Sequence, residues 1–175
     1  MRRREFIVVL GGAAAGWPFA VRAQQTRRIG VMIALAEGDP ESTKWLSAFR
    51  QALEQLGWSE GPNLHLGYRF APAGARAQEF AKELLALQPD VILAFSTPVA
   101  AAFQRETRTI PVVFIGIADA VGQGFVPNLA RPDGNLTGLT MFEASVTGKW
   151  LGMLKEIEPQ LGSVAFLVNP KTAPY

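Results

Sequence analysis

Cysteine is absent from this 175-residue chain, and histidine occurs once, as His65. Without cysteine the chain has no disulfide, no thiolate nucleophile and no lipid anchor attached through a thiol. Zinc sites are built mainly from cysteine and histidine, so a zinc site of the common types is not expected. Stability must instead come from burial of an apolar core.

Catalytic motifs are also missing. His65 lies inside a predicted strand rather than at a strand end, so a Ser-His-Asp or Cys-His site has no suitably placed base. The sequence has no phosphate-binding loop, since "GIADAVGQG" (116–124) lacks both the spacing and the lysine of that motif. We therefore predict a protein that is not an enzyme and that has no metal and no cofactor.

The first 23 residues have the pattern of an export signal. A basic head with Arg3 and Arg4 precedes an apolar segment, residues 7–21, and a small-residue site that ends at Ala23. The paired arginines resemble a twin-arginine signal, but Arg2 stands where Ser or Thr is usual, so secretion of the unfolded chain stays an alternative. A membrane anchor is less favoured, because the apolar segment is interrupted by glycine and proline and is shorter than about 20 residues. We predict cleavage after Ala23 and a periplasmic protein.

The basic charge of the chain belongs to this segment. The whole sequence has 17 basic and 15 acidic residues, and residues 1–23 contain four arginines and one glutamate. The rest therefore has 13 basic and 14 acidic residues and a net charge of −1. No basic cluster remains, so neither nucleic acid nor an anionic membrane is an expected partner.

Short apolar segments alternate with amphipathic ones along the remaining chain. Most of the apolar segments are rich in Val and Ile, which is typical of strands covered by helices on both faces; the second alternates, as an edge strand does. This order predicts an α/β fold with a doubly wound, open parallel sheet. The predicted strands are 29–35, 64–70, 91–95, 112–117, 135–141 and 164–168, and the predicted helices are 42–56, 77–85, a third from Thr97 and 146–157.

Polar side chains follow several of the predicted strands. In such sheets ligands bind beyond the carboxyl ends of the strands. Ser96 and Thr97, at the start of the third helix, are candidates to hold a carboxylate against the positive end of the helix dipole, although a plain N-cap is the alternative. Asp119 is a candidate partner for an amine, or simply the first residue of an Asx turn. The full set of candidate ligand-binding residues is Glu37, Asp39, Ser96, Thr97, Asp119 and Glu143.

Residues 90–140 carry motifs in a specific order: "STP" at 96–98, "IPVVF" at 110–114 and "PDGNLTG" at 132–138. This order and spacing resemble the ABC transporter substrate-binding protein family that is related to tryptophan- and tyrosine-binding periplasmic proteins. Two positions depart from the family pattern, because Ala120 replaces a proline and Asp133 replaces a glycine. The likeness extends along the rest of the chain.

The resemblance implies a lobe similar to a type I periplasmic binding protein. A protein of this kind closes two lobes on an amino acid or a similar small solute and delivers it to an ABC permease in the inner membrane. By matching position, Ser96 and Thr97 would contact the carboxylate of the ligand and Asp119 its amine.

The last residues, "NPKTAPY" (169–175), match the place where the second lobe of the family opens. The resemblance therefore divides the chain into an export signal (1–23), a first ligand-binding lobe (24–160) and a hinge crossing with the first strand of a truncated second lobe (161–175). On this division strand 164–168 has no neighbours of its own lobe, so it would add to the sheet of the first lobe, pair with a second molecule in self-association, or stay unpaired. An alternative function is a vestigial or interaction-only lobe that binds no solute.

Overall fold

A computed structural model describes residues 26–142, 145–165 and 167. Within them, five parallel strands form one sheet in the order β2-β1-β3-β4-β5. The predicted export signal, Glu143 and residues 169–175 lie outside the described residues. The strands are β1 (Arg27–Ile33), β2 (Leu64–Phe70), β3 (Val91–Phe95), β4 (Val112–Ala118) and β5 (Leu136–Phe142).

Four helices accompany the sheet in the described part of the chain. They are α1 (Pro40–Gln55), α2 (Ala77–Ala86), α3 (Thr97–Glu106) and α4 (Ser145–Ile157), with a short 3-10 turn at Pro72–Gly74. The strand and helix positions predicted from the apolar pattern agree with these bounds to within a few residues up to β5. The predicted α/β fold with an open parallel sheet is confirmed.

The main core lies on one face of the sheet. There α2 packs on β1 and β2, α3 packs on β3 and β4, and the two helices pack on each other. Phe103 of α3, Leu84 of α2 and Phe114 of β4 are completely buried between these layers. The segment that connects β4 to β5 adds Phe125 and Val126 to the same core, so this face is closed over most of its width.

The opposite face is covered less completely. Helix α1 lies on it, and the ring of Trp45 is 4.6 Å from the ring of Phe95, measured between centroids. Toward the other edge, Leu139 and Met141 of β5 are 72% and 61% exposed. Leu139 lies three residues after Leu136, which is buried in the main core, so it points away from that core. Met141 lies at a register shift in the pairing of β4 with β5.

Helix α4 has an apolar stripe that does not pack into the core. Met153, Leu154 and Ile157, which lie on its apolar stripe, are 59%, 42% and 79% exposed. An apolar stripe indicates that a helix packs against another surface. The pattern does not show whether that surface belongs to the same chain. The described residues leave this stripe exposed.

The predicted sixth strand is not present at its described positions. Val164, Ala165 and Leu167 have no strand pairing, and Leu167 is fully exposed. Phe166 and Val168 lie outside the described residues. An apolar run becomes a strand only where a neighbouring strand receives its hydrogen bonds.

Burial in the core predicts which leucine side chains contribute to the stability of the fold. Leu84→Ala is expected to lower the free energy of unfolding by about 2–5 kcal/mol, because Leu84 is fully buried between α2 and the sheet. Leu56→Ala, at a position that is 75% exposed, should change it by less than about 0.5 kcal/mol. Urea unfolding followed by circular dichroism measures both values. Equal losses for the two variants would contradict this account of the core.

Candidate functional site

Ser96 joins the end of β3 to the start of α3, at the carboxyl edge of the sheet. Its backbone has φ 93° and ψ 157°, a region that is essentially restricted to glycine because a Cβ is crowded there. The amide N–H of Ser96 donates to the carbonyl oxygen of Ile115 at 3.0 Å, so the hydrogen bonding between β3 and β4 continues into the turn. The strained residue is therefore held by the sheet itself.

The side chain of Ser96 does not cap the helix. Its Oγ is buried and has no hydrogen-bond partner among the described residues, and no side-chain capping bond is formed at this helix start. Buried hydroxyls are normally paired, because an unpaired one loses its hydrogen bonds to water without replacement. The plain N-cap alternative for Ser96 is therefore not what the geometry shows.

Unpaired backbone donors follow this hydroxyl in the chain. The N–H groups of Thr97 and Val99 have no acceptor among the described residues, and Pro98 between them has no N–H. The N–H of Ala100 donates to the carbonyl of Ser96 at 3.0 Å and starts the helix. Free N–H groups and the partial positive charge of a helix start favour an anion at this point.

Asp39, a predicted ligand-binding residue, has a structural role at the start of α1. Its Oδ1 accepts hydrogen bonds from the N–H groups of Glu41 at 2.8 Å and Ser42 at 3.3 Å, and so caps the start of α1. Both capping interactions are those expected of aspartate before a proline-initiated helix. Glu37, two residues earlier, is exposed and has no partner among the described residues.

Asp119, after β4, forms an Asx turn, which was the predicted alternative to contact with an amine. Its Oδ1 accepts from the N–H of Gly122 at 2.9 Å, and its own backbone has φ 45°. The N–H of Gln123 donates to the carbonyl of Asp119, which closes the turn. The residue is half-buried at the same edge as Ser96, with one carboxylate oxygen engaged in the turn. Glu143 lies outside the described residues.

A groove of about 480 Å³ runs from this edge along the outer surface of α3. Of the candidate residues, Thr97 lines it, whereas Ser96 and Asp119 do not. The polar side chains of the groove were not predicted from the sequence, because they come from two helices and a loop and share no spacing along the chain. Those side chains are Arg76, Gln78, Gln104, Arg105 and Gln123.

Charges along the groove are partly paired. Arg76 donates two hydrogen bonds to Glu79, at 2.8 and 2.7 Å. This bond lowers the pKa of Glu79 and raises the pKa of Arg76. Both side chains are largely exposed, so the pair contributes little to stability. Arg105 donates to Oε1 of Gln78 at 3.3 Å and has no acidic partner within the described residues.

Within the same residues, no group of three His, Cys, Asp or Glu side chains is placed to hold a metal ion. No helix of the described segments is long and apolar enough to cross a membrane.

Residues 28–174 match the family described as "ABC transporter substrate binding protein". The chain belongs to this family. The match includes the Ser96 turn, both aspartates discussed above and nearly all of the five-stranded sheet. The family resemblance predicted from the motifs of residues 90–140 is confirmed.

Similar proteins include a tyrosine-binding protein of Clostridioides difficile, 28% identical over 131 residues. A solved structure of a conserved domain protein from Vibrio cholerae is 30% identical, with a TM-score of 0.65. The ligand-free, open structure of a substrate-binding protein with adhesive properties from Clostridium difficile is 28% identical, with a TM-score of 0.61. A Streptococcus structure described as an ABC domain in complex with L-Trp, 22% identical with a TM-score of 0.60, shares the fold.

The chain spans less than half the length of these relatives. The alignment covers 74% of this chain and 37% of the tyrosine-binding protein. For the Vibrio cholerae structure it covers 78% of this chain and 45% of the other chain. The corresponding shares are 77% and 44% for the Clostridium difficile structure, and 66% and 39% for the Streptococcus structure.

Asp39 and Ser96 each precede a helix, and substitution of each residue tests their different roles. Asp39→Ala should lower the free energy of unfolding by about 1 kcal/mol, because it removes a formed cap. Ser96→Ala keeps the same backbone strain and removes an unpartnered hydroxyl, so stability should stay equal or rise slightly. Thermal unfolding of the two variants measures the difference. A loss at Ser96 as large as the loss at Asp39 would show that its hydroxyl is a structural cap.

Proposed function

We propose that this chain is the solute-binding component of an ABC importer, exported to the periplasm, and that it binds an amino acid or similar small solute without converting it. One observation carries the proposal: the strained turn at Ser96 contains a buried, unpartnered hydroxyl and is followed directly by free N–H groups at a helix start. Strain and unpaired polar groups persist in proteins mainly where function requires them.

The chemistry of this turn suits a carboxylate. The N–H groups of Thr97 and Val99 and the hydroxyl of Ser96 are all donors, and the helix dipole adds about 0.3–1 kcal/mol for a negative group near its first turn. In this proposal Ser96 and Thr97 hold the carboxylate of the solute, and the remaining carboxylate oxygen of Asp119 and the exposed Glu37 meet its amine. Asp39 keeps its capping role.

The related tyrosine-binding protein supports an amino acid as the solute, and the family supports a membrane permease as the partner. Residues 24–160 act as the first ligand-binding lobe in this proposal, and residues 161–175 belong to the crossing into a second lobe. Export through the segment that ends at Ala23 brings the lobe to the solute. A single lobe covers one side of a ligand, so affinity of about 1 mM is expected of this lobe alone.

Titration of the ¹⁵N-labelled chain with L-tyrosine tests the site. We expect the amide resonances of Thr97 and Val99 to shift with increasing tyrosine, because these N–H groups would donate to its carboxylate. Tyramine, which lacks the carboxylate, should leave them unchanged. Ser96→Ala should weaken tyrosine binding several-fold, whereas Ser47→Ala, in the middle of α1, should not.

Two results would contradict the proposal. One is the absence of any resonance shift at the Ser96 turn with a panel of the common amino acids at concentrations well above about 1 mM. The other is an equal shift with tyramine and tyrosine, which would show that the carboxylate is not recognised there.

A second candidate function is an interaction-only lobe. The exposed apolar side chains of Leu139 and Met141 on β5, together with the exposed stripe on α4, favour it. The occupant of this surface would be a second copy of the chain.

Sedimentation velocity separates this candidate from the first. An interaction-only lobe should sediment as a dimer, and Met141→Lys should convert it to a monomer because a charge would be buried in the interface. Leu87→Lys, at an exposed position away from β5, is the control and should leave the dimer intact. A monomer that binds tyrosine would exclude the second candidate.

A further inference from the structure

The strained turn at Ser96 lies between two side chains that are each packed against a glycine. Phe95 comes directly before Ser96, and Pro98 follows two residues later. Phe95 contacts Gly116 of β4, and Pro98 contacts Gly74 of the 3-10 turn after β2. A backbone conformation as unfavourable as that of Ser96 persists only where its surroundings hold it on more than one side.

Gly116 provides the first of these contacts. A Cβ at this position would lie 2.7 Å from Cε2 and 2.9 Å from Cζ of the Phe95 ring. This ring also meets the ring of Trp45, with centroids 4.6 Å apart, so it has little freedom to move away. The backbone of Gly116 has φ 67°, which favours glycine independently of space. The ring of Phe95 therefore packs against both Trp45 and the bare backbone of Gly116.

Gly74 provides the second contact. A Cβ there would lie 2.6 Å from Cβ and 2.9 Å from Cγ of Pro98, and its φ is 78°. The N–H of Gly74 donates to the carbonyl of Ala71 at 2.8 Å, which fixes the 3-10 turn on the end of β2. Pro98, whose ring is rigid, is thereby held against a fixed piece of backbone.

We propose that Gly74 and Gly116 are positioning residues for solute binding, acting through the Ser96 turn. They touch no solute themselves; their lack of a side chain lets Phe95 and Pro98 clamp the turn that contains the Ser96 hydroxyl and the Thr97 and Val99 N–H groups. This inference rests on the proposed function, since it names what holds that site in place.

The first test needs no ligand. In Gly116→Ala the new methyl group displaces the Phe95 ring, so the ¹⁵N amide resonances of Ser96, Thr97 and Val99 should move. Gly74→Ala should move the same three resonances through Pro98. Gly57→Ala is the matched control, because Gly57 has a φ of 85° and a Cβ added there would meet no atom within 4 Å, so this variant carries the backbone strain alone. Unchanged resonances in both Gly116→Ala and Gly74→Ala would overturn the inference.

The second test uses L-tyrosine as the probe. We expect Gly116→Ala and Gly74→Ala to weaken tyrosine binding by about tenfold or more at a temperature where each variant is folded, and Gly57→Ala to bind as the unchanged chain does. Equal affinity in all three variants would contradict a positioning role. If the unchanged chain binds no tyrosine or other amino acid, the proposed function fails, while the ligand-free resonances still decide whether the glycines position the turn.

A rescue experiment separates positioning from general damage. Phe95→Leu removes the ring atoms that the Gly116→Ala methyl group would strike. The double variant should therefore have resonances at Ser96, Thr97 and Val99 closer to those of the unchanged chain than Gly116→Ala alone. If Gly116→Ala does not fold, Phe95→Leu alone should still shift the three resonances, because the ring no longer fills the space beside Gly116. No shift in that variant would count against the clamp.

Discussion

The parallel pairing of β3 between β1 and β4 is the constraint on which the other features depend. Residues 91–95 pair with β1 on one side and residues 92–95 pair with β4 on the other, so the end of β3 has one possible position in the sheet. The hydrogen bond from Ser96 to Ile115 extends this pairing by one residue. Because β3 is central, the turn that follows it lies in the middle of the carboxyl edge, where parallel α/β sheets bind their ligands.

The two faces of the sheet differ in how completely they are covered. Helices α2 and α3 and the segment before β5 close one face around Phe103 and Phe114. On the other face α1 lies against Phe95 of β3, whereas Leu139 and Met141 of β5 stay exposed. The closed face provides the stability of the lobe and holds α3, and hence the Ser96 turn, rigidly. The exposed apolar side chains of β5 are not part of this closed core.

At the carboxyl edge of the sheet, some polar side chains already form hydrogen bonds within the protein and others do not. Asp39 caps α1 and Asp119 closes its own turn, so each forms hydrogen bonds that would otherwise be available to a ligand. Ser96 differs, because its hydroxyl and the neighbouring N–H groups have no partners among the described residues. The unpaired donors at this edge are therefore on the Ser96 turn, whereas Asp39 and Asp119 each have a carboxylate oxygen already hydrogen-bonded.

The sequence by itself determined the five strands, the helices and the family, since Val- and Ile-rich segments and 3.6-residue stripes report local structure directly. It also placed Ser96 at the carboxyl end of β3. Only the tertiary structure decided that Asp39 caps a helix, that Ser96 does not, and that the stripe of α4 is exposed, because these outcomes depend on the positions that side chains take once the chain has folded. The packing of Phe95 against Gly116 and of Pro98 against Gly74 was likewise decided only by the tertiary structure. A sequence pattern records which residues need partners, and the fold determines which partners they obtain.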